Sequence, residues 1–126
     1  MSKKKNVWIY CRIDAPEDVH GMLKSQREEL IHYAEQMGFC VVGSSSDLAN
    51  GVGKARPGWE HFMQTVSEQP MDFLLVHSLS RIHWDTCQAL SILEQLKRKG
   101  VTVYSPLEGK LDFAFQHIIG RMEEIK

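Results

Sequence analysis

The chain has 126 residues, 43% of them hydrophobic, which is enough for one compact domain and too little for two. With 15 basic and 16 acidic side chains the formal net charge is −1, so any nucleic-acid contact must come from a local patch. No apolar run in the sequence approaches the roughly 18 to 20 residues that span a bilayer, and no signal-peptide core is present. These features predict a soluble, cytoplasmic protein without membrane contact.

Cysteine and histidine usage argues against a metal site or a disulfide framework. Cys11, Cys40 and Cys87 lie far apart, and the six histidines form no pair at metal-ligand spacing. Cys11 and Cys40 lie inside apolar, strand-like runs, so both are predicted to be reduced thiols of the core. No cofactor is indicated.

The N-terminal third predicts a strand and a helix. Residues 1–5 carry three lysines and are expected to form a flexible tail. Residues 7–11 (VWIYC) are a short apolar run typical of a strand covered on both faces. Apolar positions then recur at helical spacing over residues 23–37, and Gly38 is expected to end that helix.

Residues 39–43 (FCVVG) predict a second buried strand. The following stretch, residues 44–58, is dense in Ser, Gly, Asn and Asp, which predicts a long irregular loop. Loops of this length are uncommon in compact domains unless they carry function, so this one is a candidate for ligand contact.

The second half repeats the alternation of helix and strand. Pro57 begins a predicted helix that Pro70 ends, and residues 73–76 predict the third strand. A helix is expected over residues 86–99, with basic residues in its last turn, and the fourth strand over 101–104. Strands that alternate with amphipathic helices predict an α/β fold with a parallel-rich sheet covered on both faces.

Three arginines occupy equivalent places after the first three strands. Ligands of such sheets bind beyond the carboxyl ends of the strands, where Arg12, Arg56 and Arg81 are expected to meet. The planar guanidinium matches phosphate oxygens two at a time, so the three together predict a phosphate site. The alternative is that each arginine pairs with a surface carboxylate.

The last segment, residues 110–126, carries apolar side chains at alternating spacings of four and three. They are Leu111, Phe115, Ile118, Met122 and Ile125. This stripe predicts a helix that either packs on its own domain or forms an oligomer interface, and the sequence leaves both open.

Four short segments, in order, resemble the catalytic domain of the serine recombinases, the resolvase/invertase family of site-specific DNA recombinases. They are I-Y-C-R-I at 9–13, S-Q-R-E-E-L at 25–30, D-L-A-N-G with A-R-P-G-W within 47–59, and V-H-S-L-S-R-I at 76–82. The resemblance covers nearly the whole chain. It implies one resolvase-like, three-layer domain over 1–126, with a sheet of four to five strands and a long C-terminal helix from about Lys110.

The resemblance also implies DNA as the partner and assigns roles to individual residues. In this family a serine after the first strand attacks the phosphodiester and stays joined to the 5′ phosphate while subunits of a tetramer exchange partners. Arginines stabilise the pentavalent phosphate, and these are implied to be Arg12, Arg56 and Arg81. Gln26 matches a glutamine of the first helix near the site.

Two departures from the family pattern affect the chemistry. The nucleophile position holds Asp14, or Ala15 if the loop is shifted by one, and the second arginine of the D-R-L-x-R motif is Trp84. A carboxylate would form an acyl phosphate, which water hydrolyses before DNA can be resealed. Tryptophan offers a single neutral N–H where the reaction needs a cation. The sequence therefore predicts recombinase ancestry with strand cleavage lost.

Three functions stay open at this stage. The first is an inactive domain that acts as a homo-oligomer, or as a partner or regulator of an active recombinase. The second is an active fragment that uses another serine, either Ser25 or one of residues 44–46. The third is a small phosphate- or nucleotide-binding module. Since the sequence ends at Lys126, before any DNA-binding domain, DNA affinity is expected to be weak.

Overall fold

The computed structural model describes residues 4–13, 20–48, 56–83 and 85–111. Its elements, in chain order, are β1 (Asn6–Ile13), α1 (Met22–Met37), β2 (Cys40–Leu48), α2 (Pro57–Glu68), β3 (Phe73–Leu75), a 3₁₀ helix (Leu79–Arg81), α3 (Thr86–Arg98), β4 (Thr102–Ser105) and β5 (Gly109–Lys110). The strands form one sheet in the order β2-β1-β3-β4-β5. The first four pair in parallel and β5 pairs antiparallel with β4, so the predicted α/β fold is confirmed.

Strand β1 separates two apolar cores because its side chains alternate between the faces of the sheet. Val7, Ile9 and Cys11 pack with Leu30 and Ala34 of α1 on one face, called here the α1 face. Trp8 and Tyr10 pack on the opposite face, the α2 face, with side chains of α2 and α3. Full burial of each large apolar side chain stabilises the fold by about 1.5–3 kcal/mol.

The helix boundaries follow from local signals in the sequence. Gly38 adopts φ 76° and its N–H reaches the carbonyls of Ala34 and Glu35, which ends α1 as predicted. Pro57 lies in the first turn of α2, where a missing N–H costs nothing. The Asp85 carboxylate accepts hydrogen bonds from the N–H groups of Cys87 and Gln88 and so caps α3.

The prediction for β2 was wrong in two respects. The strand is not buried: it forms an edge of the sheet, where Cys40, Val41 and Val42 are exposed, so Cys40 is not a core thiol. Residues 44–48 are not an irregular loop, because they continue β2 and pair with β1 from Ile9 to Ile13. A polar, β-poor sequence becomes a strand here because the central strand supplies its hydrogen-bond partners, a nonlocal effect.

The C-terminal prediction is tested only at its start. Lys110 belongs to β5, and the Leu111 side chain is buried in the domain's own core. The remaining members of the stripe, from Phe115 onward, lie outside the described residues, as does most of the predicted tail. None of the helices in the described part of the chain has the length and apolar composition needed to cross a membrane.

Candidate phosphate-binding site

Asp47 organises the carboxyl edge of the sheet on the α2 face. Asp47 is 5% exposed, and its carboxylate accepts a hydrogen bond from the Tyr10 hydroxyl at 2.7 Å. It also accepts from the backbone N–H groups of Gly58 at 2.8 Å and Trp59 at 2.9 Å. These are first-turn N–H groups of α2, which have no partner inside the helix and favour a nearby anion. Asp47 therefore caps α2 from the neighbouring strand, since Arg56 at the N-cap position makes no side-chain cap.

Arg56 is held in one orientation by aromatic and polar contacts. Its Nη2 and Nε donate to the Tyr10 hydroxyl oxygen at 2.9 and 3.3 Å. Its Cζ lies 5.5 Å from the Tyr10 ring centre and 5.2 Å from that of Trp59, within cation–π range. A hydrogen-bonded chain thus runs from Arg56 through Tyr10 to Asp47 and fixes the guanidinium at the sheet edge.

Arg81 lies beside Arg56 on the 3₁₀ helix that follows β3. Its backbone carbonyl accepts a 3.3 Å hydrogen bond from Arg56 Nη2, so the two arginines are in contact. The Arg81 Nε–H is buried and meets no acceptor in the part of the chain that the structure describes. A buried donor without an acceptor costs about 1–3 kcal/mol, and a phosphate oxygen would supply the acceptor. Glu108 holds this 3₁₀ helix by accepting from the Leu79 N–H at 2.7 Å.

Gln26 fixes the end of β1 through the backbone of Arg12. Its Oε1 accepts from the Arg12 N–H at 3.0 Å and its Nε2 donates to the Arg12 carbonyl at 3.3 Å. Arg12 itself is 9% exposed and pairs in register with Asp47, on the same face of β1 as Tyr10. Gln26 therefore acts on the strand that carries Arg12, a role that its place on α1 did not reveal.

The sequence predicted three arginines at this edge, and the structure joins Arg56 to Arg81 directly. Asp14, Ala15 and Trp84 lie outside the described residues. Sequence reasoning missed the structural roles of Tyr10 and Asp47. The signal that could have identified Asp47 is the start of α2: A-R-P-G offers no Ser, Thr, Asp or Asn to cap the helix, so the cap must come from elsewhere. Within the described ranges, no three His, Cys, Asp or Glu side chains group as a metal site.

Burial of Tyr10 and Cys11 predicts alkaline instability. Burial, then the hydrogen bond to Asp47, raises the pKa of Tyr10 well above its usual range, although Arg56 opposes this. Burial raises the pKa of the Cys11 thiol to about 12, against the opposing charge of Arg27. The unfolded chain loses these protons first, above about pH 9 for the thiol and above about pH 10 for the tyrosine. The free energy of unfolding should then fall by about 1.4 kcal/mol per pH unit for each group.

Urea denaturation between about pH 7 and pH 11 measures this slope. Cys11→Ala should remove the part of the slope that begins near pH 9 and leave the tyrosine part. Cys40→Ala is the matched control, because that thiol is exposed and its removal should leave the slope unchanged. An unfolding free energy that stays constant up to about pH 11 would contradict the prediction.

The fold and the sheet edge define an α/β domain with two half-buried arginines, Arg56 and Arg81, beyond the carboxyl ends of its parallel strands. Residues 7–124 match the family described as "Resolvase, N terminal domain". Because the match spans nearly the whole chain, the chain belongs to the resolvase family, and the serine recombinase resemblance is confirmed. No curated protein matches it significantly.

Three solved structures illustrate the similarity of fold. The N-terminal catalytic domain of TP901-1 integrase is 20% identical, with a TM-score of 0.76 over 97% of this chain and 99% of that one. A resolvase family site-specific recombinase from Streptococcus pneumoniae is 22% identical, with a TM-score of 0.76 over 96% and 89%. The C-terminal catalytic domain of ISC1926 TnpA, an IS607-like serine recombinase, is 24% identical, with a TM-score of 0.70 over 79% and 69%. At these identities the likeness establishes the fold.

Proposed function

We propose that this domain binds DNA phosphate through Arg56 and Arg81 but does not cleave DNA, and that it serves as an oligomerising partner or regulator in DNA recombination. The observation that carries the phosphate site is the buried Arg81 Nε–H, which lacks an acceptor among the described residues. The backbone carbonyl of Arg81 accepts from Arg56, whose guanidinium contacts Tyr10 and Trp59. Two arginines at one sheet edge, with the Arg56 guanidinium held in one orientation, provide forked donors for phosphate oxygens.

The loss of cleavage rests on the residues at two positions of the family pattern. By the family resemblance the place of the serine is taken by Asp14, or by Ala15 if the loop is shifted by one. A carboxylate there would repel the DNA phosphate and neutralise an arginine such as Arg12 or Arg81, and an alanine would offer no nucleophile. Trp84 occupies the place of an arginine. Removing one preorganised donor from a reacting centre costs about 2.7–4 kcal/mol of transition-state stabilisation, so the two changes together leave little activity.

The described serines give little support to a substitute nucleophile. Ser44 and Ser46 pair in register with Ile9 and Cys11, so their side chains lie on the α1 face, opposite Arg56. Ser45 lies on the α2 face, but its hydroxyl accepts from Trp8 Nε1 at 3.0 Å and donates to the Gly58 carbonyl at 2.6 Å. Ser25 is exposed on α1, whose core-facing side packs on the α1 face.

Two other serine hydroxyls lie close to Arg81 in the sequence, so a test for a substitute nucleophile must include them. Ser78 and Ser80 are joined by a 2.8 Å hydrogen bond between their Oγ atoms and are solvent-accessible. Mapping of a covalent adduct must therefore distinguish Ser78 and Ser80 from the serines of β2 and α1.

Binding without cleavage is tested with a library of nicked duplexes of random sequence, which traps covalent intermediates. We expect anisotropy to detect weak, salt-sensitive binding and denaturing electrophoresis to detect no adduct. Arg81→Gln should weaken binding by about tenfold, since a charged hydrogen bond contributes about 1.5–3 kcal/mol. Arg98→Gln is the matched control, because Arg98 is an exposed arginine on α3. Unchanged affinity of Arg81→Gln, or an adduct mapped to a serine, would contradict the proposal.

The oligomerising role rests on the apolar stripe at Phe115, Ile118, Met122 and Ile125. Leu111 is excluded from it because its side chain belongs to the domain core. If this chain associated with an active resolvase-family recombinase, the mixed tetramer would contain a subunit that cannot cleave DNA and would therefore be inhibited. A chain that stays monomeric at high concentration in sedimentation, with no binding to an active relative, would contradict this role.

A further inference from the structure

A basic groove lies between α1 and β2, on the α1 face of the sheet. It has a volume of about 290 Å³ and is lined by Leu23, Lys24, Arg27 and residues 44–46, with Cys11 at its floor. Cys11 and Tyr10 are neighbours on β1 whose side chains lie on opposite faces, so this groove is separate from the Arg56 site. The groove is therefore a second concave surface on the same domain.

The helix side of the groove presents two cations that have no carboxylate partner among the described residues. Lys24 and Arg27 are one helical turn apart, a spacing that places both side chains on the same side of α1. Neither forms an ion pair with any carboxylate in the described ranges, although Glu28 and Glu29 follow on the same helix. Glu29 instead lies 3.7 Å from His77 Nδ1. Two adjacent like charges repel each other, and an anion between them would relieve that repulsion.

The strand side of the groove presents two hydroxyls. Ser44 and Ser46 alternate along β2 and so lie on one face, opposite the two cations. Among the described residues, neither hydroxyl has a hydrogen-bond partner. The intervening Ser45 contrasts with them, because both of its hydrogen bonds are made on the α2 face.

The floor of the groove carries no charge that would repel an anion. The Cys11 thiol stays protonated at neutral pH because burial raises its pKa to about 12. Arg27 lines the same groove, and its positive charge opposes this rise in the pKa of the thiol without cancelling it.

We propose that this groove is a phosphate-binding site formed by Lys24, Arg27, Ser44 and Ser46. A guanidinium and an ammonium approach from the helix while two hydroxyls approach from the strand, so donors surround the ligand from two sides. The tetrahedral oxygens of a phosphate match such a set, whereas a carboxylate has only two oxygens in one plane. The phosphate belongs either to a small phosphomonoester, such as a mononucleotide, or to the backbone of a nucleic acid.

The test is an NMR titration of the full chain at constant ionic strength, with inorganic phosphate, a 5′-mononucleotide and a short single-stranded oligonucleotide as probes. We expect amide shifts at Lys24, Arg27, Ser44 and Ser46 that saturate with each probe. The double variant Lys24→Gln/Arg27→Gln should weaken phosphate binding at least about tenfold. The matched control is Lys97→Gln/Arg98→Gln, which removes the same charge from the last turn of α3 and should leave the affinity unchanged.

The oligonucleotide identifies the source of the phosphate. Binding much tighter than that of the mononucleotide, with a steep salt dependence, assigns the site to a nucleic-acid backbone. Equal affinity assigns it to a small phosphomonoester, and both results support the site. Shifts that spread over all surface lysines, or that persist in the α1 double variant, would overturn the proposal. Arg81→Gln separates the two sites, since it should not alter the shifts at Ser44 and Ser46.

Discussion

Replacing Asp47 with alanine is expected to lower the free energy of unfolding by about 3–5 kcal/mol, a large share of the stability of a small domain. The substitution leaves three donors without an acceptor: the Tyr10 hydroxyl and the N–H groups of Gly58 and Trp59. Each buried donor that loses its partner costs about 1–3 kcal/mol, and the lost helix cap contributes to this sum. Water should reach the sheet edge once the structure relaxes around the alanine. The loss of unfolding free energy should therefore stay below the sum of the largest costs of the three donors and the cap.

Three further variants at this site separate the stability that Asp47 gives by capping α2 from the stability that it gives through its hydrogen bond with Tyr10. Asp47→Asn keeps one acceptor oxygen and should cost less than alanine. Tyr10→Phe removes a donor together with its need for an acceptor, so we expect a cost of about 1 kcal/mol. The double variant Asp47→Ala/Tyr10→Phe should then be more stable than the sum of the two single effects predicts, because the two side chains share a hydrogen bond.

Urea denaturation followed by circular dichroism measures all four proteins. Glu68→Ala, at the exposed far end of α2, is the control and should change stability by no more than about 0.5 kcal/mol. A loss below about 1 kcal/mol for Asp47→Ala would show that the carboxylate does not organise this edge of the sheet.

The fold was predictable where the signals were local. Three elements could be predicted without reference to the rest of the chain. They are β1 from its apolar run, α1 from its helical spacing up to Gly38, and the start of α2 from Pro57. The second half of β2 was not predictable, because S-S-S-D-L is a strand only through its pairing with β1. The two-residue β5 is likewise set by its partner β4.

The site was predictable in its location but not in its internal structure. Parallel strands bring their carboxyl ends together, which is why Arg56 and Arg81 could be expected to meet. The contacts that orient Arg56 depend on Tyr10, Trp59 and Asp47, which come from three different elements. The sequence predicted Tyr10 only as a residue of the core, because an apolar strand explains its burial. The hydrogen-bond partner of its hydroxyl could be identified only from the structure.

If cleavage was lost at residues 14 and 84, as proposed, placing the family's serine and arginine there should restore it in an otherwise intact scaffold. We expect Asp14→Ser/Trp84→Arg to form a covalent adduct with nicked DNA, at a level at least about 100-fold above the unaltered chain. The serine supplies an alcohol whose phosphodiester is stable to water, and the arginine at position 84 adds a forked cation to Arg56 and Arg81 for the pentavalent phosphate. Each single change should give far less adduct than the double variant, because Asp14→Ser alone lacks one of the family's stabilising cations and Trp84→Arg alone lacks a nucleophile.

Electrophoresis under denaturing conditions and mass spectrometry of the linked peptide measure the adduct. It should map to residue 14, and Arg81→Gln added to the double variant should abolish it, because that arginine is proposed to contact the same phosphate. Asp14→Ala/Trp84→Arg is the matched control, since it removes the carboxylate without adding a hydroxyl. If the serine variant folds normally, binds DNA and still forms no adduct, then the loss of cleavage does not lie at these two positions. The C-terminal segment, or a partner that completes the active assembly, would then have to account for it.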